Sequence, residues 1–88
     1  MTATITIFTD GAAKGNPGRG GYGVVITDDK TVTELGGHKA RTTNNEMELT
    51  AVVKALEQVA KTTATVHIYT DSKYVRRHKF KVQIYRGV

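Results

Sequence analysis

Along the first third of the chain, hydrophobic and polar positions follow the period of extended structure. Thr4-Ile5-Thr6-Ile7-Phe8-Thr9 is β-branched and aromatic, and predicts a strand ending at Asp10. Residues 11–21 are glycine-rich, with turn chemistry at Asn16-Pro17-Gly18, and predict a loop. Residues 22–27 predict a second strand, Asp28-Asp29-Lys30 a turn, and Val32 to about Lys39 a third strand. Connections this short join neighbours, so the three strands form an antiparallel meander.

The period then lengthens to that of a helix. Thr43-Asn44-Asn45-Glu46 fits a capping box, in which the Thr43 hydroxyl accepts from the Glu46 amide while Glu46 reaches back. Leu49, Val52, Val53, Leu56, Val59 and Ala60 recur at helical spacing as one apolar stripe. Lys61-Thr62-Thr63 turns into a fourth strand, Val66-His67-Ile68-Tyr69-Thr70, which ends at Asp71. A strand–helix–strand passage crosses over right-handed and puts this strand parallel to a partner. If that partner is the first strand, Asp10 and Asp71 lie side by side at two carboxyl ends, where open α/β sheets place ligands. Residues 72–78 predict a short helical or irregular turn, and residues 79–85 alternate like a half-buried strand. The fold class is α/β: a mixed sheet with a β-β-β-α-β core, followed by a short basic C-terminal tail able to add a strand. Residues 1–75 form the expected domain and residues 76–88 the tail.

Composition narrows the setting. A chain of 88 residues makes one small domain with a marginal core. It has no cysteine, which excludes disulfides and thiolate metal sites. Apolar runs such as Val24-Val25-Ile26 fall far short of the ~20 residues of a membrane helix, and no basic-then-apolar leader opens the chain. A cytoplasmic protein with no membrane partner is expected. Thirteen Lys and Arg against eight Asp and Glu give a net charge of +5, which favours polyanions, nucleic acid first. All the acids lie between Asp10 and Asp71, whereas Lys73, Arg76, Arg77, Lys79, Lys81 and Arg86 follow without one.

Three acids carry candidate chemistry: Asp10, Glu48 and Asp71. Each ends a strand or sits in the first turn of the helix. Carboxylates without histidine or cysteine suit Mg²⁺ or Mn²⁺, not zinc. A pair of such ions, roughly 3.5–4 Å apart, clamps the attacking and leaving oxygens of a phosphodiester displacement. One such acid alone is ordinarily a turn former or a helix-dipole partner. Three brought to one sheet edge favour a metal site. Gly18-Arg19-Gly20-Gly21-Tyr22-Gly23 matches G-x-G-x-x-G but leads into a strand, which excludes a dinucleotide site. Its glycines serve either a hairpin with positive φ or close backbone approach to a polyphosphate, with Asn16 donating. Asn44 and Asn45 either cap the helix or bind phosphate, a base edge or a ribose 2′-OH. His38 and His67 read as ordinary strand residues, His78 as a solvated member of the basic run, and Tyr22 and Tyr69 as core aromatics.

Phe8-Thr9-Asp10-Gly11, Gly15-Asn16-Pro17-Gly18, Gly20-Gly21-Tyr22-Gly23, Thr42-Thr43-Asn44-Asn45, Glu46-Met47-Glu48-Leu49 and Thr70-Asp71-Ser72-Lys73-Tyr74-Val75 occur in that order. In this the chain resembles type 1 ribonuclease H from about Thr4 to Val75. The resemblance implies a ribonuclease H-like fold and endonucleolytic hydrolysis of the RNA strand of RNA–DNA hybrids with Mg²⁺ or Mn²⁺. It makes Asp10, Glu48 and Asp71 the catalytic, metal-holding residues. Asn16 and Thr43 become contacts to the DNA backbone, and Asn44 and Asn45, with the glycine loop, readers of 2′-hydroxyls in the minor groove. Gly11 and Ser72 carry over as further nucleic-acid contacts.

The family pattern continues with a loop histidine and a fourth carboxylate on a last helix, whereas this chain has no Asp or Glu after Asp71. The resemblance therefore stops after the fourth strand, and activity is expected to be weak or partner-dependent. Two divalent ions carry four positive charges; three carboxylates offset three, and a bound phosphodiester the last. Metal binding to the free protein is thus expected to be weak and single-site. Residues 72–78 are too few for a parallel crossover, so the tail is expected to pair antiparallel with its own strand or to add to another copy, giving a homodimer with exchanged tails. The alternatives to an enzyme are a module that binds hybrid or double-stranded nucleic acid without cutting it, and a self-associating assembly protein.

Overall fold

In a computed structural model, which describes residues 4–76 and 83–86, the chain runs β1 (Thr4–Gly15), β2 (Gly18–Thr27), β3 (Val32–Thr42), α1 (Asn44–Gln58), β4 (Thr65–Thr70), α2 (Lys73–Arg76) and β5 (Gln83–Arg86). The strands form one sheet in the order β3-β2-β1-β4-β5. β1 and β2 are antiparallel, β2 and β3 antiparallel, and β4 lies parallel to β1 from Thr4↔Thr65 to Phe8↔Tyr69. This is the mixed α/β sheet that the alternation and the strand–helix–strand order predict.

The glycine-rich segment departs from expectation. It is not a loop: β1 and β2 stay paired to Gly15↔Gly18, leaving only Asn16 and Pro17 at the turn, joined by a cis peptide bond. An antiparallel ladder needs only backbone donors and acceptors, so poor side-chain propensity does not stop it. Gly15 has φ 102°, a conformation that a side chain would oppose, and its pairing with Gly18 closes the hairpin. The β2–β3 turn is closed by Asp28, whose carboxylate accepts from the amides of Lys30 and Thr31 at 2.7 and 2.8 Å.

α1 packs on one face of the sheet. Ile7, Val24, Ile26, Val66 and Ile68 from the strands meet Ala51, Val52 and Ala55 from the helix, with Val75 of α2 closing the cluster. The inner line of the helix is Met47, Ala51, Val52 and Ala55, while Leu49, Leu56 and Val59 flank it. Val53 is 42% exposed and Ala60 is exposed, so the apolar stripe is rotated from the expected one. Alanine at the contact line lets the helix backbone approach the strands, and larger side chains fill the sides. On the opposite face, Phe8 stacks on Tyr69 with ring centroids 5.4 Å apart. Tyr69 therefore belongs to the face away from α1, whereas Tyr22 is half-buried against the core.

The tail corrects a second expectation. β5 pairs parallel to β4 of the same chain, from His67↔Gln83 to Thr70↔Arg86. It is not antiparallel. The crossover succeeds because the strand starts at Gln83, so residues 71–82 span the connection and include the single turn of α2. That is the dozen residues a parallel return requires. Phe80, Val82 and His78 lie outside the described residues. With β5 on the β4 edge, exchange of tails loses its structural motive.

Candidate functional site

The site is built where two parallel strands part company. β1 continues its pairing with β2 to Gly15, but its pairing with β4 stops at Phe8↔Tyr69. Two more steps in that register set Asp10 opposite Asp71, at the point where β4 ends. Beyond it the β4 side of β1 is a notch, and the start of α1 fits into it. The Ala13 amide donates to Asn44 Oδ1 at 2.6 Å. A Cβ on Gly11 would stand 2.5 Å from the Met47 carbonyl carbon and 2.7 Å from the Glu48 amide nitrogen. Glycine at position 11 is what lets the backbone carrying Glu48 lie against the residue after Asp10.

Asp10 and Asp71 are exposed and Glu48 is half-buried. Among the described residues, none of these three carboxylates is spent on a hydrogen bond or an ion pair. The contrast with the structural acids is sharp: Asp28 closes a turn and Glu46 ties two elements together. Nor do the side chains stand ready as a cage, since among the described residues no three His, Cys, Asp or Glu form a group that could hold a metal ion. The donor set nevertheless has the chemistry of a hard divalent cation site: all oxygen, anionic and not engaged elsewhere.

The helix start next to the notch is heavily tied. Thr43 caps α1, its hydroxyl accepting from the Glu46 amide at 3.1 Å. The reciprocal half of the expected capping box is redirected: the Glu46 carboxylate accepts from the Thr42 hydroxyl and from Lys39 Nζ, the latter at 3.0 Å. The Thr42 bond, then the Lys39 bond and charge, hold the Glu46 carboxyl below its ordinary 4.5. The backbone bonds from Lys30 and Thr31 likewise lower Asp28 below 3.8.

Of the expected nucleic-acid contacts, Asn16 is exposed at the hairpin tip, and Gly18↔Thr42 pairing brings that tip to the start of α1. Thr43, Asn44 and Asn45 therefore share one end of the molecule with Asn16. Asn44 uses its oxygen on Ala13, which leaves its two N–H donors. Ser72 is different: it is 3% exposed, and its hydroxyl accepts from the Val75 amide at 3.1 Å as the cap of α2. Its own amide donates to Thr70 Oγ1, so Ser72 fixes the turn that presents Asp71.

Sequence reasoning passed over the cationic ribbon beside the site. Lys14 and Arg19 are register partners across the hairpin, and His38 lies on the neighbouring strand opposite Gly21. The signal was available: Lys14 and Arg19 stand symmetrically about Asn16-Pro17, so reading residues 11–21 as a hairpin instead of a loop puts them face to face.

The RNase H family profile matches residues 2–85. A ribonuclease H of Cupriavidus pinatubonensis is 52% identical over 73 residues, covering 83% of this chain and 50% of that protein. One from Trichodesmium erythraeum is 55% identical over 71 residues, covering 81% and 45%. The chain thus spans about half the length of the curated relatives it matches. Among solved structures, the N-terminal RNase H domain of a Mycobacterium tuberculosis protein superposes with a TM-score of 0.75 at 34% identity, covering 91% of this chain and 64% of that one. LC11-RNase H1, solved in complex with an RNA/DNA hybrid, gives 0.74 at 36% identity, covering 88% and 64%. With a profile match over nearly its whole length and relatives about half identical over some four-fifths of it, this chain belongs to the ribonuclease H family, in its type 1 branch.

Proposed function

We propose that this chain recognises RNA–DNA hybrids and hydrolyses their RNA strand in a divalent-metal-dependent way, with Asp10, Glu48 and Asp71 as the metal-holding residues. One observation carries the reading: three carboxylates with no hydrogen bond or ion pair among the described residues, on elements that converge at the end of two parallel strands. A bound Mg²⁺ or Mn²⁺ supplies Lewis acidity and charge neutralisation at the phosphoryl oxygens. The chain's own part is to hold the strand. Asn16 and Thr43 anchor the DNA-strand backbone, while Asn44 and Asn45 offer donors to 2′-hydroxyls, which distinguish RNA from DNA in a wide minor groove. Gly11 lets the helix that carries Glu48 seat against β1, and Ser72 sets the turn under Asp71.

The fit to LC11-RNase H1, whose structure holds a hybrid, supports the choice of substrate. Without nucleic acid, Mg²⁺ binding is weak and single-site; calorimetry resolving two tight sites in the free protein would refute that. A cytoplasmic setting fits the bacterial relatives, and among the described residues no helix is long and apolar enough to cross a membrane. A homodimer would need a surface other than the β4 edge, which β5 occupies.

The deciding assay uses a labelled hybrid with Mg²⁺ and with Mn²⁺, and Asp10→Asn beside the parent chain. Cutting that drops at least about a hundredfold in Asp10→Asn, the scale of removing one group that stabilises transition-state charge, supports the nuclease. Hybrid that is bound but stays intact in both proteins makes the chain a binding module.

A further inference from the structure

We propose that the β1–β2–β3 ribbon carries a separate phosphate-binding groove, formed by Lys14, Arg19 and His38, which grips the nucleic-acid backbone away from the carboxylate notch. The proposal rests on the reading that this chain engages nucleic acid, and adds an anchor to it.

The groove lies on the ribbon between the hairpin tip and the middle of β3, with a volume of about 510 Å³. Ala12, Gly21 and His38 form one row across three strands, because Ala12 pairs with Gly21 and Gly21 with His38. Lys14 and Arg19, each two residues nearer the hairpin tip on its own strand, pair with one another and share that face. Small residues make the floor and long cationic ones the rim. No acid among the described residues lines the groove. Among the described residues neither Lys14 nor Arg19 has an ion-pair partner, whereas Lys39 on the same strand as His38 is committed to Glu46. Like charges directly opposite each other weaken a sheet. Here two of them face each other beside a histidine, with no ion-pair partner among the described residues to offset them. An anion seated between them removes that cost. A guanidinium fork, an ammonium and an imidazole N–H are together suited to the several oxygens of a phosphate.

The groove also aligns with the proposed active site. Asp10 lies in the same face of β1 as Ala12 and Lys14, four residues from Lys14, or about 13 Å along a strand. Between them the floor is bare: Asp10 pairs with Gly23, and a Cβ on Gly23 would meet no atom within 4 Å. A duplex strand rises about 3.4 Å per nucleotide, so one backbone can lie across both features a few nucleotides apart. Phosphate contacts of this kind fix register and carry no sequence information.

The test is the double variant Lys14→Gln/Arg19→Gln in the full chain, both positions being exposed, with its melting curve as the folding control. Hybrid binding is measured in EDTA, so that nothing is cut, across a series of salt concentrations. The expected result is a salt slope of log Kobs reduced by about one to two units, with equal loss for hybrids of different sequence. A slope unchanged from a parent chain that binds hybrid overturns the groove. Inorganic pyrophosphate, titrated by NMR against the His38 ring, which both proteins keep, separates the groove from the substrate assignment. Shifts in the parent that vanish in the double variant support the groove even if hybrid binding itself fails. No shift in the parent overturns it.

Discussion

Two glycines show how differently one residue type can be used. At Gly11 an added methyl would collide with the backbone of Met47 and Glu48, atoms that no rotamer change can move. At Gly23 it would meet nothing within 4 Å. Gly11→Ala must push α1 off β1, and is expected to cost about 1–3 kcal/mol, the range for overpacking. Gly23→Ala is expected to leave stability unchanged or to raise it by up to about 1 kcal/mol, since glycine in a strand interior carries an entropic penalty. Urea unfolding of the pair checks both; equal destabilisation would mean that the close approach at Gly11 is not what seats the helix. The sequence presents both as glycines beside strand residues, and only the register separates them. Asp71 was legible because it follows a β-branched run that ends at Thr70; Asp10 follows such a run too, although β1 does not end there but continues to Gly15. The role of Ser72 was not, because capping of α2 depends on a turn geometry that no local pattern fixes.

Among the elements, α1 was the most legible, and its start shows why the remainder was not. A threonine followed three residues later by glutamate marks the cap, and Thr43 takes it. The partner of Glu46 was decided by β3, whose end brings Thr42 and Lys39 within reach. Tertiary contact overrode the local motif. Thr43→Ala is expected to lower stability by about 1 kcal/mol. The redirected carboxylate also sets a pH dependence. Glu46 and Asp28 both have folded-state values below their ordinary 4.5 and 3.8, so their contribution is full above those values and is lost as pH falls through the lowered ones. The melting temperature should therefore fall between about pH 4.5 and the more acid range. Glu46→Gln should flatten that fall, and an unchanged profile would show that the tie between β3 and α1 adds nothing. The glycine segment misled for a related reason: propensity marks residues 11–21 as loop, but the ladder with β2 runs on regardless of side chains.

At the scale of the molecule, β5 decides how the outer edge of β4 is closed. β4 is buried along Val66, Ile68 and Thr70, and its outer edge would be a template for pairing if left open. The alternation of residues 79–85 foretold a strand, but its partner and direction depended on the start of the strand, a boundary that alternation does not fix. Starting at Gln83 instead of Lys79 turns an impossible crossover into an ordinary one. β5 covers the β4 edge from His67 to Thr70. Hydrogen exchange tests this. Amides of residues 67–70 that face β5 should be protected in the 88-residue chain and exchange freely in a variant ending at residue 82. Light scattering on the same pair should show the shortened chain associating at micromolar concentration, as an uncovered edge recruits a second copy. Equal exchange and equal mass in the two would mean that β4 does not depend on β5 for closure, and that the strand completing the sheet is not the one this chain carries.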